Sequence, residues 1–188
     1  MEQQEKKDFL DFELFKVVEG IVSDALAEPD IILLNFMVEN ENQQDRIISE
    51  CREYVLKIIV DLIYKGSAGI LMDDEENPKG WAFIINMGAN LCVQYLHVKE
   101  CERKKGIAKS MVETLKVPGK NIGLISSISA LPFWEKMGFD LGSTETFGFL
   151  MAHRVKKNDE VGIFKLDSRD MDNIKKIVIS GMYGSERR

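Results

Sequence analysis

Leu96-His97-Val98-Lys99-Glu100-Cys101-Glu102-Arg103-Lys104-Lys105-Gly106-Ile107-Ala108-Lys109 is the stretch whose reading decides the fold. It opens with the end of a strand-like run, passes through a charged turn, and a helix is predicted to begin near Gly106. Arg103, Lys104 and Lys105 therefore stand before a helix start, and Lys109 lies in its first turn. Cations are misplaced there. The first amides of a helix lack partners and the macrodipole adds positive potential, so each added cation costs roughly a few tenths of a kcal/mol. The sign reverses when an anion sits at the helix start, because amides and side chains then act on one ligand. Gly106 lets such an anion approach the backbone with no β-carbon in the way, and Ala108 is small one step further in. Spacing alone leaves this reading level with a solvated basic turn. Neither Gly-x-x-x-x-Gly-Lys-Ser/Thr nor Gly-x-Gly-x-x-Gly occurs in the chain, which argues against P-loop and Rossmann phosphate sites.

Outward from this stretch the hydrophobic period marks the other elements. Residues 68–72, 81–87 and 91–98 read as three successive strands. The first two are joined by the polar loop Asp73-Asp74-Glu75-Glu76-Asn77-Pro78-Lys79-Gly80, and the last two by a short hairpin at Gly88-Ala89-Asn90. The helix from Gly106 is expected to end near Lys116, before Pro118-Gly119. Then come a strand at 121–127, a helix at 129–138 and strands at 139–144 and 147–155. Upstream, residues 8–27 form an amphipathic helix carrying Phe9, Leu10, Phe12, Phe15, Val18, Ile21 and Val22. A second helix presents Ile47, Ile48, Cys51, Val55, Ile58, Leu62 and Ile63 and stops at Gly66. The segment Ile31 to Val38 is too short and too apolar to assign. Val161 to Leu166 reads as a strand, and Ser168 is expected to cap a helix bearing Met171, Ile174, Ile177 and Val178. The order is that of an α/β (α+β) fold with a mixed sheet and helices packed on it.

Composition sets outer limits. The chain has 188 residues, 45% hydrophobic and 30% charged, as in an ordinary globular domain. Its 25 Lys and Arg against 31 Asp and Glu give a net charge of -6. That balance weakens a nucleic-acid reading, since phosphate affinity needs clustered cations. Cys51, Cys92 and Cys101 are odd in number and lack metal-type spacing, which suits reduced thiols in the cytoplasm. His153 stands alone, so no metal site is expected. The polar N-terminus does not read as a signal peptide, and no run reaches the roughly 20 apolar residues of a membrane helix.

Two motifs carry a family resemblance. Arg103-Lys104-Lys105-Gly106-Ile107-Ala108 resembles the Arg/Gln-x-x-Gly-x-Gly/Ala signature of the GNAT superfamily of acyl-CoA N-acyltransferases, with Val98 at the usual offset before it. Ala130-Leu131-Pro132-Phe133-Trp134-Glu135-Lys136-Met137-Gly138-Phe139 resembles that family's second signature, Ala-x-x-Phe-Tyr-x-x-x-Gly-Phe. Each is a weak signal by itself; together, in order and with a strand between them, they are specific. The resemblance covers residues 68–155, behind N-terminal helices at 8–65. It implies an acyltransferase domain over 1–155; the C-terminal extension, 156–188, has no counterpart in the resemblance and is expected, from its own residues, as a strand plus a helix packed on the same domain.

The resemblance implies a central mixed, mostly antiparallel sheet whose two middle strands splay in a V, one holding Leu96 to Val98 and the other Asn121 to Ser127. The pantetheine arm of acetyl-CoA would fill that gap like an added strand, meeting the backbone at Leu96, His97 and Val98. Arg103, Lys104, Lys105, Gly106, Ile107 and Ala108 would hold the pyrophosphate, with Lys109 adding charge. Ser127 stands where the family has Asn, and Phe133 would flank the channel. Trp134 replaces the family's Tyr, the usual proton donor to the departing thiolate; an indole N–H is no practical acid near neutral pH. Trp134 could instead shape the acyl or acceptor pocket. No strong base stands in the expected place either. Uniform alternation puts Cys92, Gln94, Leu96 and Val98 on one strand face and Val93, Tyr95 and His97 on the other. A bulge would bring His97 back. Cys92, His97, Glu100 and Glu102 are the candidates.

The function implied is transfer of an acetyl group from acetyl-CoA to a primary amine of a small molecule, peptide or protein, by direct attack. The alternatives are a GNAT-fold protein that binds CoA as a regulatory or partner module with little chemistry, and a toxin that acetylates aminoacylated tRNA. The acidic loop at 73–76 suits a solvated hairpin tip better than a cation-attracting patch. A homodimer stays open.

Overall fold

β-Branched and aromatic residues recur at strand period between residues 68 and 153, and the strands form there. The computed structural model describes residues 2–28, 31, 38, 41–145 and 148–183. Its contacts divide the chain into two compact units, Met1–Asp61 with Lys165–Arg188, and Leu62–Phe164. Residues 156–164 thus go with the sheet, and the final helix goes with the N-terminal helices.

The sheet unit holds β1 (Ala68–Met72), β2 (Gly80–Met87), β3 (Asn90–Val98), β4 (Asn121–Ser126), β5 (Asp140–Glu145) and β6 (Gly148–His153). Their order in the sheet is β1-β2-β3-β4-β6-β5. Every neighbouring pair is antiparallel except β3 and β4, which run parallel. The connection between those two supplies the crossover a parallel pair needs: it contains α3 (Ile107–Leu115), which follows α1 (Glu2–Leu26) and α2 (Glu41–Tyr64) in the chain. After β4 comes α4 (Leu131–Lys136). Both helices pack on one face of the sheet. Val112 and Leu115 of α3 and Trp134 of α4 join Val93, Ile122, Leu124, Phe139 and Met151 in one buried cluster. Fully burying a side chain of this kind contributes about 1.5–3 kcal/mol. The loop between β1 and β2 is shaped by its own carboxylates. Asp73 Oδ1 accepts from the amides of Lys79 (2.8 Å) and Gly80 (2.7 Å), and Asp74 Oδ1 from that of Glu76 (2.9 Å).

The helical unit contains α1 (Glu2–Leu26), most of α2 (Glu41–Tyr64) and α5 (Ser168–Tyr183). Val18, Ile21 and Val22 of α1 and Ile174 and Val178 of α5 are buried. The buried stripe of α2 is Ile47, Cys51, Val55 and Ile59, a strict i, i+4 row. It corrects the expected face: Ile59 takes the place foreseen for Ile58, and Ile63 is exposed. Tyr54 links α2 to α5, donating to Asp170 Oδ1 and accepting from Asn173 Nδ2, each at 2.7 Å. Arg52 joins Glu19 of α1.

Two expectations for the tail are corrected. The stretch 161–166 forms no strand. The cap of α5 is Asp167 rather than Ser168, since Asp167 Oδ1 accepts the Asp170 amide at 2.8 Å. Of the unassigned stretch 31–38 only Ile31 and Val38 are described, and both are buried. Among the described residues no helix is long and apolar enough to cross a membrane.

Candidate functional site

β3 and β4 pair at three rungs, Asn90↔Asn121, Leu91↔Ile122 and Cys92↔Gly123, and then part. Beyond that point β3 keeps β2 as a neighbour as far as Gly80↔Val98, and β4 keeps β6 as far as Ser126↔Phe149. The facing edges, residues 93–98 and 124–126, form no rung with each other. A V-shaped gap therefore opens inside the sheet. Each backbone group left unpaired in a buried place costs about 1–3 kcal/mol, so the gap favours an occupant with amides of its own.

The bulge that would move His97 is present. Phe83 pairs with Tyr95 while its neighbour Ile84 pairs with Val93, so Gln94 is the extra residue on β3. Alternation restarts after it, which corrects the uniform pleating expected from the sequence. Leu91, Val93 and Leu96 pack toward the buried cluster. His97 and Tyr95 share the opposite face with Trp81, whose ring stacks on Tyr95 at 4.7 Å and lies 6.4 Å from the ring of His97. Cys92, paired with Ile85, is on that same face.

At the open end of the V, α3 begins. Gly106 precedes it with φ 87°, a left-handed conformation that glycine adopts without strain. Among the described residues no side chain caps this start. Lys104 is also left-handed, with φ 64°. Arg103 Nε donates to Val98 O at 3.1 Å, which holds the guanidinium against the end of β3. A cavity of about 350 Å³ lies here, lined by Val98, Glu102, Arg103, Lys104, Gly106, Ile107, Ala108, Lys109 and Phe133. The two signature segments thus meet at one place, the first through its loop and helix start and the second through Phe133.

Other sequence-predicted residues fall elsewhere. Lys105 does not line the cavity and pairs with Glu102 at 3.0 Å. Ser127 is exposed at the end of β4, its Oγ 3.1 Å from Ser129 Oγ. Trp134 is 5% exposed and sits edge-on between Phe133 and Phe139, each ring 5.0 Å away, as part of the core. Glu100 is exposed on a 3₁₀ turn and does not line the cavity. Cys92 is buried; its Sγ accepts the Phe164 amide at 3.2 Å, and burial pushes the thiol up to about 11. A thiol so held stays protonated near neutral pH and cannot act as a base. The bulge at Gln94, the ring of Tyr95 and the approach of residues 161–164 to Cys92 were not read from the sequence. Asn90, Cys92 and Gln94 alternate too regularly for a bulge to show.

A mixed sheet that parts between its two central strands, above a cation-flanked helix start, is the arrangement the GNAT resemblance implies, and the chain has this GNAT-like fold. Solved structures similar to it include N-acetyltransferases. The PaiA N-acetyltransferase from Thermoplasma acidophilum in complex with coenzyme A is 17% identical, with 73% of this chain and 92% of that chain covered and a TM-score of 0.45. The GNAT-family N-acetyltransferase YhbS from Escherichia coli in complex with CoA is 19% identical over 63% and 77%, with a TM-score of 0.43. A GNAT-family acetyltransferase from Staphylococcus aureus Mu50 is 13% identical over 77% and 94%, also with a TM-score of 0.43. No protein-family model and no curated protein matches the chain.

Proposed function

We propose that the protein is an acetyl-CoA-dependent N-acetyltransferase that acts on a primary amine. The observation that carries this reading is the parting of β3 and β4 beyond Cys92↔Gly123, together with an uncapped helix start that has Arg103, Lys104 and Lys109 around it. The residues present fit the group. The edge of β3 beyond Cys92, which forms no rung with β4, offers backbone amides and carbonyls to the two amides of a pantetheine arm. The start of α3 and its flanking cations offer a diphosphate the charge and the N–H groups it requires.

Bound acetyl-CoA would supply the thioester carbonyl that an amine attacks. The chain's own task is to bind and orient it and to take the amine's proton. His97 is the base that the bulge favours, because it brings the imidazole to the face of Cys92, whose buried thiol stays neutral. Trp134, packed in the core, supplies no acid, and a departing thiolate needs one less than an alkoxide would, its ordinary pKa being about 8.5.

Calorimetry with CoA and acetyl-CoA tests the binding half of this reading. Saturable heat is expected, and Arg103→Glu should weaken binding roughly tenfold or more, the worth of a charge-assisted hydrogen bond. No heat with either ligand would sink the assignment. A thiol-release assay over a panel of amines tests the chemistry. Tight CoA binding without release on any amine would favour the rival reading, a CoA-binding module, for which Trp134 in place of Tyr speaks.

A further inference from the structure

The last rung between β3 and β4 is sealed by a distant part of the chain. Gly123 has no room for a side chain: a β-carbon there would lie 2.6 Å from Gly162 O and 2.8 Å from Val161 Cγ1, closer than real β-carbons come. Cys92, across the same rung, takes the Phe164 amide on its sulfur at 3.2 Å. Residues 161–164 therefore lie as a strap on the Cys92↔Gly123 rung. They reach it through a turn after β6 fixed by Asp159, whose carboxylate accepts the Lys156 amide at 3.1 Å and whose carbonyl accepts from Arg154 Nε at 3.2 Å. Asn121 Oδ1, one turn of the pleat before Gly123, holds the Val155 amide at 2.8 Å.

The other face of that point is closed as well. Val93 and Leu124, the first residues beyond the rung, are 4% and 2% exposed within the core that contains Trp134. The gap is thus open at the helix start and shut on both faces at its apex. Residues 93–98 give it a length of roughly 20 Å at the usual strand rise.

We propose that Val161 and the Gly162 backbone form the wall that limits the acyl group to the size of an acetyl, making the chain selective for the shortest acyl-CoA. This rests on the CoA reading above and names the residues that would hold the acyl group to that size, which that reading does not. A group extending past the apex has to displace either the strap or the core around Trp134. Of the two, the strap is the part with a side chain, Val161, that can be trimmed without opening the core.

The test is calorimetry on the full chain with CoA, acetyl-CoA and butyryl-CoA, with no acceptor needed. CoA and acetyl-CoA should bind alike, and butyryl-CoA at least about tenfold more weakly, the lower end of what a misfitting methylene costs in a tight pocket. Val161→Ala should narrow the difference, and Val161→Ile should widen it, so that failure of one variant to fold leaves the other. Equal binding of butyryl-CoA and acetyl-CoA by the unaltered chain, or an unchanged ratio in the folded variants, overturns the proposal while leaving CoA binding intact. If CoA itself does not bind, the CoA reading fails and takes the acyl limit with it.

Discussion

The amide of Phe164 points at Cys92 Sγ from 3.2 Å, joining the chain that follows β6 to the rung where β3 and β4 part. It is a weak bond in a dry place. Burial, the larger influence, drives the Cys92 thiol up to about 11 although the amide acts the other way, and burial drives Cys51 to about 12.

Both thiols therefore hold their protons more tightly folded than unfolded. The stability tied to those protons is complete below the ordinary thiol value of about 8.5 and is lost as pH rises through the folded values. Urea unfolding should show a falling midpoint from about pH 9 to 11, and Cys92→Ala should flatten the part of that fall due to Cys92. Slow labelling of Cys92 and fast labelling of the exposed Cys101 by a thiol reagent at neutral pH should accompany it. A pH-independent midpoint, equal in the two proteins, would contradict this account.

Lys104 offers a trade between stability and binding. Its left-handed backbone costs a non-glycine residue about 1–2 kcal/mol. Lys104→Gly removes that strain and adds back about 0.5–1 kcal/mol of unfolded-state entropy. A net gain of up to about 1.5 kcal/mol is expected, read as a higher midpoint in denaturant. CoA affinity should fall in the same variant, because a cation lining the cavity is gone. A variant that is both less stable and equally good at binding CoA would show that the loop is not strained for a ligand.

Trp134→Tyr separates a core role from a catalytic one. The indole lies 5.0 Å from both Phe133 and Phe139 and is 5% exposed, so the shorter ring leaves space and buries a hydroxyl. The loss should be about 1–3 kcal/mol, with Trp134→Ala nearer 3–5 kcal/mol. Turnover in Trp134→Tyr should not rise. A marked rise, measured as thiol release, would mean that the new hydroxyl reaches the thiolate and that the core placement is wrong in detail.

Much of this architecture was legible because it is written locally. The strands at 68–72, 80–87 and 90–98 follow β-branched and aromatic runs, and Gly106 ahead of Ile107 marks the start of α3 by its own conformation. Of the cation run at 103–105, Arg103 and Lys104 line the cavity, and their position ahead of a helix start is visible in the sequence. What escaped is non-local. Nothing in Val93-Gln94-Tyr95 announces a bulge, since neither Gly nor Pro is there, and the register is set by Phe83 and Ile84 on the next strand. The stretch 161–166 has the composition of a strand but pairs with neither edge strand, β1 or β5; Gly123 leaves room for it to cross the sheet instead. Asp167 outcompetes Ser168 as a cap by one residue, which periodicity does not resolve.

His97 is where the bulge has its chemical consequence. With Gln94 looped out, the imidazole stands on the face of Cys92, its ring 6.2 Å from Tyr95 and 6.4 Å from Trp81. His97→Gln keeps a polar planar group on the strand while removing the base. If the imidazole takes the amine's proton, kcat should drop by roughly 10²–10⁴-fold. Acetyl-CoA binding by calorimetry should hardly change, and the acid limb of the pH–rate profile should disappear. A structural role would instead lower the unfolding midpoint and leave that limb in place. Glu100→Gln is the companion measurement, because Glu100 is exposed on the turn that follows β3. Loss of the acid limb there, with His97→Gln near full activity, would transfer the base to a carboxylate acting through water and undo the argument from the bulge.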